Sequence, residues 1–252
     1  MKALKFKLSG ETAFFKKPDV NSYLYFTYGN IHKVALLGIF GAILGYGGYN
    51  QHRYKLDNIK DYKEDYPEFY NKLNTVKVAI EPLNDKAFTP KKIQVFNNSV
   101  GYASQEIGGN LIVKEQWLEN PKWNIYVLLD NEEADKICEY ILNYKAIYQP
   151  YLGKNDHYAN ISNIKVYDVK EALESDTERV HSLCPRNCVS FDMDEDDEGE
   201  EDLFKYSEKL PISLNKVTNM YELESFVYSN MYVESINSDK LYNIDGKNIV
   251  FF

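Results

Sequence analysis

His32-Lys33-Val34-Ala35-Leu36-Leu37-Gly38-Ile39-Phe40-Gly41-Ala42-Ile43-Leu44-Gly45 is the stretch on which the reading of the fold turns. It is nearly all apolar, is interrupted by Gly38 and Gly41, and closes on Gly45. That pattern predicts a buried helix over 32–44 ended by glycine, the residue that most readily takes the left-handed cap conformation. Each internal glycine costs about 1 kcal/mol of helix stability relative to alanine. The expected return is close approach of another backbone to that face.

Working outward, Lys2 to Leu8 alternates lysines with Ala3, Leu4, Phe6 and Leu8, a strand with one wet face. Thr75 to Leu83 reads as a second strand. Lys92–Phe96 and Val100–Ala103 read as a hairpin joined by Asn97-Asn98-Ser99, with a further turn at Gly108-Gly109-Asn110. Trp123 to Leu129 is a continuous apolar strand. The helix after it has Asn131 as N-cap, Glu132 and Glu133 in its first turn, and Ile137, Ile141 and Leu142 as its buried stripe. A loop over Gln149–Ala159 leads to a strand at Ile164–Val169. The order is β-α-β-(hairpin insertion)-β-α-β, which predicts an α+β fold of the ferredoxin-like type, also the order of RNA-recognition domains. That domain is expected over residues 1–170. A small β-rich subdomain is expected over 171–252, with strand patterns at Phe226–Ser235 and Asn248–Phe252. The aromatic signature of ordinary RNA-recognition motifs is absent, so base stacking on an open sheet face is not expected.

The formal net charge is −9, with 38 acidic against 29 basic residues. Nine of those acids lie between Asp192 and Asp202 with no base among them; without them the chain is neutral. Residues 1–100 hold 15 Lys and Arg against 9 Asp and Glu. The local field matters more than the sum, so a polyanionic partner stays open. The run at 192–202 is expected to be a disordered loop. Three cysteines, Cys138, Cys184 and Cys188, are too few for a disulfide framework, which favours a reducing cytoplasm. His181, Cys184 and Cys188 lack an evident fourth ligand, so neither a metal nor a cofactor is expected. The longest apolar run falls short of the roughly 20 residues a membrane span needs.

Three segments together resemble the fifth CRISPR-associated family, a branch of the RAMP superfamily. The first is the opening strand with Gly10, Ala13, Phe14-Phe15-Lys16-Lys17-Pro18 and Ser22-Tyr23. The second is the glycine-bearing helix, and the third is Pro150-Tyr151-Leu152-Gly153-Lys154 with His157 and Ala159. Leu210-Pro211-Ile212 resembles the family in outline, and the length and Tyr- and Lys-rich character look most like the type I-B subtype.

The resemblance implies a non-catalytic subunit of a type I surveillance (Cascade) complex, a ribonucleoprotein of antiviral defence. Such a subunit holds the 5′ repeat-derived tag of the guide RNA, touches the seventh-family backbone subunits and the large subunit, and meets target DNA only indirectly. It uses loops above a ferredoxin-like core and a β-hairpin thumb. Here the thumb is expected at 91–114, with Tyr102 and Gln105 near its tip. Lys16, Lys17, Lys33, Arg53 and Lys154 are the candidate cations, and Phe15, Tyr23, Tyr46 and Tyr49 the candidate stacking rings. The alternative is a metal-independent endoribonuclease that processes precursor guide RNA, as in one branch of the family, with a Tyr and a following Lys–His pair. Tyr46 stands in a suitable region, but no such pair follows. His52 is followed by Arg53, and His157 stands between Asp156 and Tyr158.

Overall fold

The computed structural model describes residues 1–19, 22–97, 99, 101, 105–107, 109–172, 177–192, 202–237 and 239–252. In chain order the elements are β1 (Lys2–Ser9), β2 (Thr12–Ala13), α1 (Lys33–Leu44), α2 (Tyr49–Asn58), α3 (Glu68–Leu73), β3 (Val78–Pro82), β4 (Lys91–Asn97), β5 (Ile112–Glu119), β6 (Lys122–Leu129), α4 (Glu132–Leu142) and β7 (Asn160–Asp168). They continue with β8 (Lys170–Glu171), β9 (Cys184–Pro185), β10 (Val189–Phe191), β11 (Lys205–Leu214), β12 (Tyr221–Ser229), β13 (Val233–Ile236), β14 (Leu241–Ile244) and β15 (Lys247–Val250). The fold is α+β, and the strands pair antiparallel throughout these sheets.

The central sheet runs β3-β6-β1-β7. The alternation of β1 decides its orientation, because successive side chains of a strand point to opposite faces. Leu4, Phe6 and Leu8 are fully buried on the face that carries α1 and α4, while Lys5 and Lys7 face the other way. Phe6 meets Phe40 of α1 edge to face, ring centroids 6.3 Å apart. The same core continues into the C-terminal region through Leu183, Leu210, Leu214, Phe226 and Phe252. The outer edge of β3 is covered by that region. Val78 and Phe252 exchange backbone hydrogen bonds, and Leu183 N–H donates to the Ile80 carbonyl. Covering an edge in this way removes a template for unwanted pairing.

α1 begins and ends as its composition dictates. Gly45 takes φ 79, and Tyr46 N–H reaches back to the Gly41 carbonyl at 2.8 Å. At the other end His32 caps the helix, its Nδ1 accepting from Ala35 N–H at 3.2 Å. The ring is boxed edge-on by Phe15, Tyr28 and Tyr221. Of the two helical glycines, only Gly41 is closely approached, and by the Phe69 side chain of α3 rather than by backbone. A Cβ at 41 would stand 2.6 Å from Phe69 Cβ, and one at 38 would meet nothing within 4 Å.

The expected hairpin is paired differently. Lys91–Asn97 pairs with Ile112–Glu119, from Lys91 opposite Leu118 to Asn97 opposite Ile112, while Val100 and Ala103 lie outside the described residues. α2, α3 and the long β11–β12 hairpin were not expected from the sequence. Most of the acidic run, 193–201, also lies outside the described residues. Among the described residues no helix is long and apolar enough to cross a membrane.

Two stability measurements test this packing. Gly38→Ala should raise the urea-unfolding free energy by about 1 kcal/mol, the helix-propensity gain. Gly41→Ala should lower it, because overpacking of about 1–3 kcal/mol against Phe69 outweighs the same gain. Equal effects at the two positions would contradict the α1–α3 contact. Burial holds the His32 imidazole far down, at about 3, so it stays neutral in the native protein and takes up a proton only on unfolding. Stability from this group is therefore present above pH 6.5 and lost as pH falls toward 3, at about 1.4 kcal/mol per unit. His32→Asn keeps a cap and should flatten the pH dependence of unfolding between 6.5 and 4 by about one proton.

Candidate functional site

The segment between β2 and α1 folds back on itself as a tongue. Lys17 N–H donates to the Phe26 carbonyl at 2.8 Å, Tyr28 N–H to the Phe15 carbonyl at 2.9 Å, and Lys16 bridges Thr27. Tyr25 then docks on β5, donating to the Lys114 carbonyl and accepting from Gln116 N–H, both at 2.9 Å. Lys16, exposed, places its Nζ 3.9 Å from the centroid of the Tyr25 ring. Tyr23 stands at the tip, 93% exposed and at φ 62, a conformation that costs a non-glycine residue roughly 1–2 kcal/mol.

The loop 150–159 locks onto this tongue. Phe14 N–H donates to the Leu152 carbonyl at 3.1 Å, and Leu152 is fully buried. Gly153 sits at φ 86, where a Cβ would stand 2.7 Å from the Phe14 carbonyl carbon. The turn delivers Lys154 to β5: its Nζ lies 3.2 Å from Glu115, 3.6 Å from Asp156, and over the Phe96 ring of β4 at 4.9 Å. Glu115 is buried and also accepts from Trp117 Nε1 at 2.8 Å. His157 is buried beside them, its Nδ1 2.6 Å from Thr12 Oγ1 and its ring edge-on to Trp117 at 4.5 Å, while Nε2 has no hydrogen-bond partner among the described residues. Burial pushes its pKa down.

A carboxylate from β11 braces the tongue from the other side. Glu208 accepts from Gly29 N–H through both oxygens, at 2.9 and 3.0 Å, and from the Tyr206 hydroxyl at 2.7 Å. Lys17 Nζ is 3.3 Å away.

The first and third sequence blocks are therefore brought together against the β4–β5 hairpin. Lys16, Lys17, Tyr23 and Lys154 belong to this assembly, and Gln105, exposed, belongs to the segment joining β4 to β5. Tyr102 lies outside the described residues. Phe15 is corrected from a stacking ring to a core residue: it is 3% exposed and packs against His32 and Trp123.

The helical candidates lie elsewhere. Lys33 opens α1 and is half-buried, with its pKa pushed down to about 8 by burial and then by Lys240 and Lys77. Tyr46 is roughly 20 Å away along the helix axis. There its hydroxyl donates to Glu133 Oε2 at 2.7 Å, under Lys72 at 4.0 Å from the ring centroid. Burial and that hydrogen bond push the phenol pKa up. Tyr49 packs on Phe69, its pKa raised to about 12 by burial, and Arg53 pairs with Asp57 at 2.8 Å on exposed α2. Sequence reasoning missed Tyr25, Glu115 and Glu208. Glu208 lies 179 residues from Gly29, and no local signal marks it.

No family model and no curated protein matches the chain. Solved structures do. A chain of a CRISPR RNA-guided surveillance complex is similar at a TM-score of 0.51 and 14% identity, over 92% of this chain and 91% of that one. A CRISPR protein from Archaeoglobus fulgidus is similar at 0.50 and 10%, over 99% and 98%. At such identities the likeness is one of fold. Over nearly its whole length, this chain has the fold of CRISPR-associated proteins.

Proposed function

We propose that the chain is a non-catalytic, fifth-family subunit of a type I CRISPR surveillance complex that holds the 5′ tag of the guide RNA. In this reading residues 1–170 are a ferredoxin-like RAMP domain, the β4–β5 hairpin is its thumb, and 171–252 is a subdomain packed back on it. The seventh-family backbone subunits and the large subunit are its protein partners, and the type I-B subtype is the best match in character.

The observation that carries the reading is the three-way junction at Gly153. Two remote segments and the hairpin are locked, through the Lys154–Glu115 pair, into one surface that carries Lys16 and the exposed Tyr23. Cations and exposed rings on preformed loops suit a kinked single strand, with phosphates neutralised and splayed bases stacked. The strand order β3-β6-β1-β7 and the fold likeness to a chain of an RNA-guided complex support the same reading.

The non-catalytic part rests on the state of the candidate acid–base groups. Attack by a 2′-hydroxyl needs a base that accepts a proton near neutral pH. The Tyr46 phenol is shifted the wrong way and is committed to Glu133. His157 is 1% exposed, out of reach of a substrate.

Tag binding measured across a salt series should separate the roles. Lys16→Ala should reduce the magnitude of the log K against log salt slope by about 0.7, the value for one phosphate contact on a single strand. Tyr23→Ala should cost about 1–3 kcal/mol of stacking and leave the slope alone. Unchanged binding in both variants would move the tag surface off the tongue. Incubated with a labelled repeat RNA in EDTA, the protein should leave it intact. Specific cleavage abolished by Tyr46→Phe would replace this reading with the endoribonuclease.

A further inference from the structure

The central sheet has two faces, and the one away from α1 and α4 is only half covered. Ala3, Ala79, Tyr126 and Leu128 lie beneath Tyr242, Ile244, Ile249 and Phe251 at one end. At the other end the strand register brings lysines together. Lys7 stands opposite Asn124 and Ser162, Lys5 opposite Tyr126 and Lys165, and Ser9 opposite Lys122 and Asn160. Lys5, Lys7, Lys122 and Lys165 therefore share one face, Lys122 and Lys165 being exposed and the other two half-buried. Among the described residues none of the four makes an ion pair.

Glu81 and Asp245 reach this face. Glu81 is occupied by Lys247, Tyr126 and Asn124, and Asp245 lies at the β14–β15 turn, close enough to raise the Tyr126 pKa. Lys5 and Lys165 are direct cross-strand partners, an arrangement that is unfavourable for like charges. Their ammonium groups settle over tyrosine faces instead: Lys165 is 4.3 Å from the Tyr167 centroid, and Lys5 is 5.6 Å from Tyr167 and 5.3 Å from Tyr126.

We propose that this open half of the sheet is a second nucleic-acid surface, which takes the phosphate backbone of a DNA strand without reading its sequence. Four cations without an ion pair among the described residues, with Ser9, Ser162 and Asn160 beside them, complement a polyanion. Lys5 and Lys7 are about 7 Å apart along β1, of the order of the spacing between phosphates in an extended strand. None of these lysines belongs to the tongue, so this surface and the tag site can be occupied at once. The choice of DNA rests on the reading above, in which the RNA contact of this chain is the tag, and departs from the expectation that such a subunit meets DNA only indirectly.

The test uses the full-length chain, fluorescence anisotropy and two labelled probes: oligothymidylate, and an RNA bearing the 5′ repeat-derived tag. Lys7→Gln with Lys165→Gln should weaken oligothymidylate binding about tenfold at low salt and lower the slope magnitude by about 1.4, two phosphate contacts. Tag RNA binding should stay at the wild-type value. Lys165→Glu should also lose DNA affinity, yet melt at the same or a higher temperature, since it replaces a facing like charge. Wild-type DNA affinity and slope in both variants would overturn the proposal. So would polyglutamate competing as well as DNA at equal charge, which would make the face an acidic-protein contact. If the wild-type chain bound oligothymidylate through these lysines but ignored tag RNA, the tag reading would fall and this surface would stand.

Discussion

The backbone of Phe14 passes so close to residue 153 that no side chain fits between them. Gly153 also holds a positive φ, which a Cβ would make costly in its own right. This one approach ties the ten residues after β1 to the loop before β7. Leu152 is drawn into the core, its carbonyl takes Phe14 N–H, and Lys154 and His157 are carried to Glu115 and Thr12. A loop–loop junction made by backbone and buried side chains is set before any ligand arrives. Preorganisation of that kind lowers the ordering cost of binding a flexible strand.

Two buried carboxylates, Glu115 and Glu81, and the partly buried Glu208 then determine which lysines are structural. Glu208 holds Lys17, Glu115 holds Lys154, and Glu81 holds Lys247. Each acid also accepts hydrogen bonds from neutral donors, as a buried charge must if it is not to destabilise the fold. Lysines spent in this way position loops more than they attract ligands. Lys5 and Lys165 on the open half of the sheet differ, their ammonium groups lying over tyrosine faces. A net charge of −9 is thus no guide to this molecule's partners, because the segregated acidic run at 192–202 alone accounts for it.

What the sequence revealed follows from the range of the interactions involved. β1, α1, β6 and α4 are legible because periodicity, Gly45 and Asn131 act within a turn or two of chain. α2 is polar almost throughout and α3 is only six residues long, so neither carries a periodic stripe. The partner of β4 was misread because the strand that pairs with it begins 15 residues after Asn97, and the nearer turn signal at Asn97-Asn98-Ser99 pointed to Val100–Ala103 instead. In the candidate site, Lys16 and Lys154 were found by resemblance. Phe15 looked like an exposed loop ring because its burial depends on His32 and Trp123, which arrive from elsewhere in the fold. Glu208 was invisible for the same reason.

The lysine face is partly a consequence of the core and partly not. A one-residue slip of β1 would put its lysines beneath α1, so burial of Leu4, Phe6 and Leu8 alone fixes the side to which Lys5 and Lys7 point. Burial does not explain why those outward positions are lysines, nor why Lys165 stands opposite Lys5. Threonine or serine would satisfy a half-exposed strand without like-charge repulsion. Folding therefore accounts for where this face is, and a ligand carrying negative charge would account for what is on it.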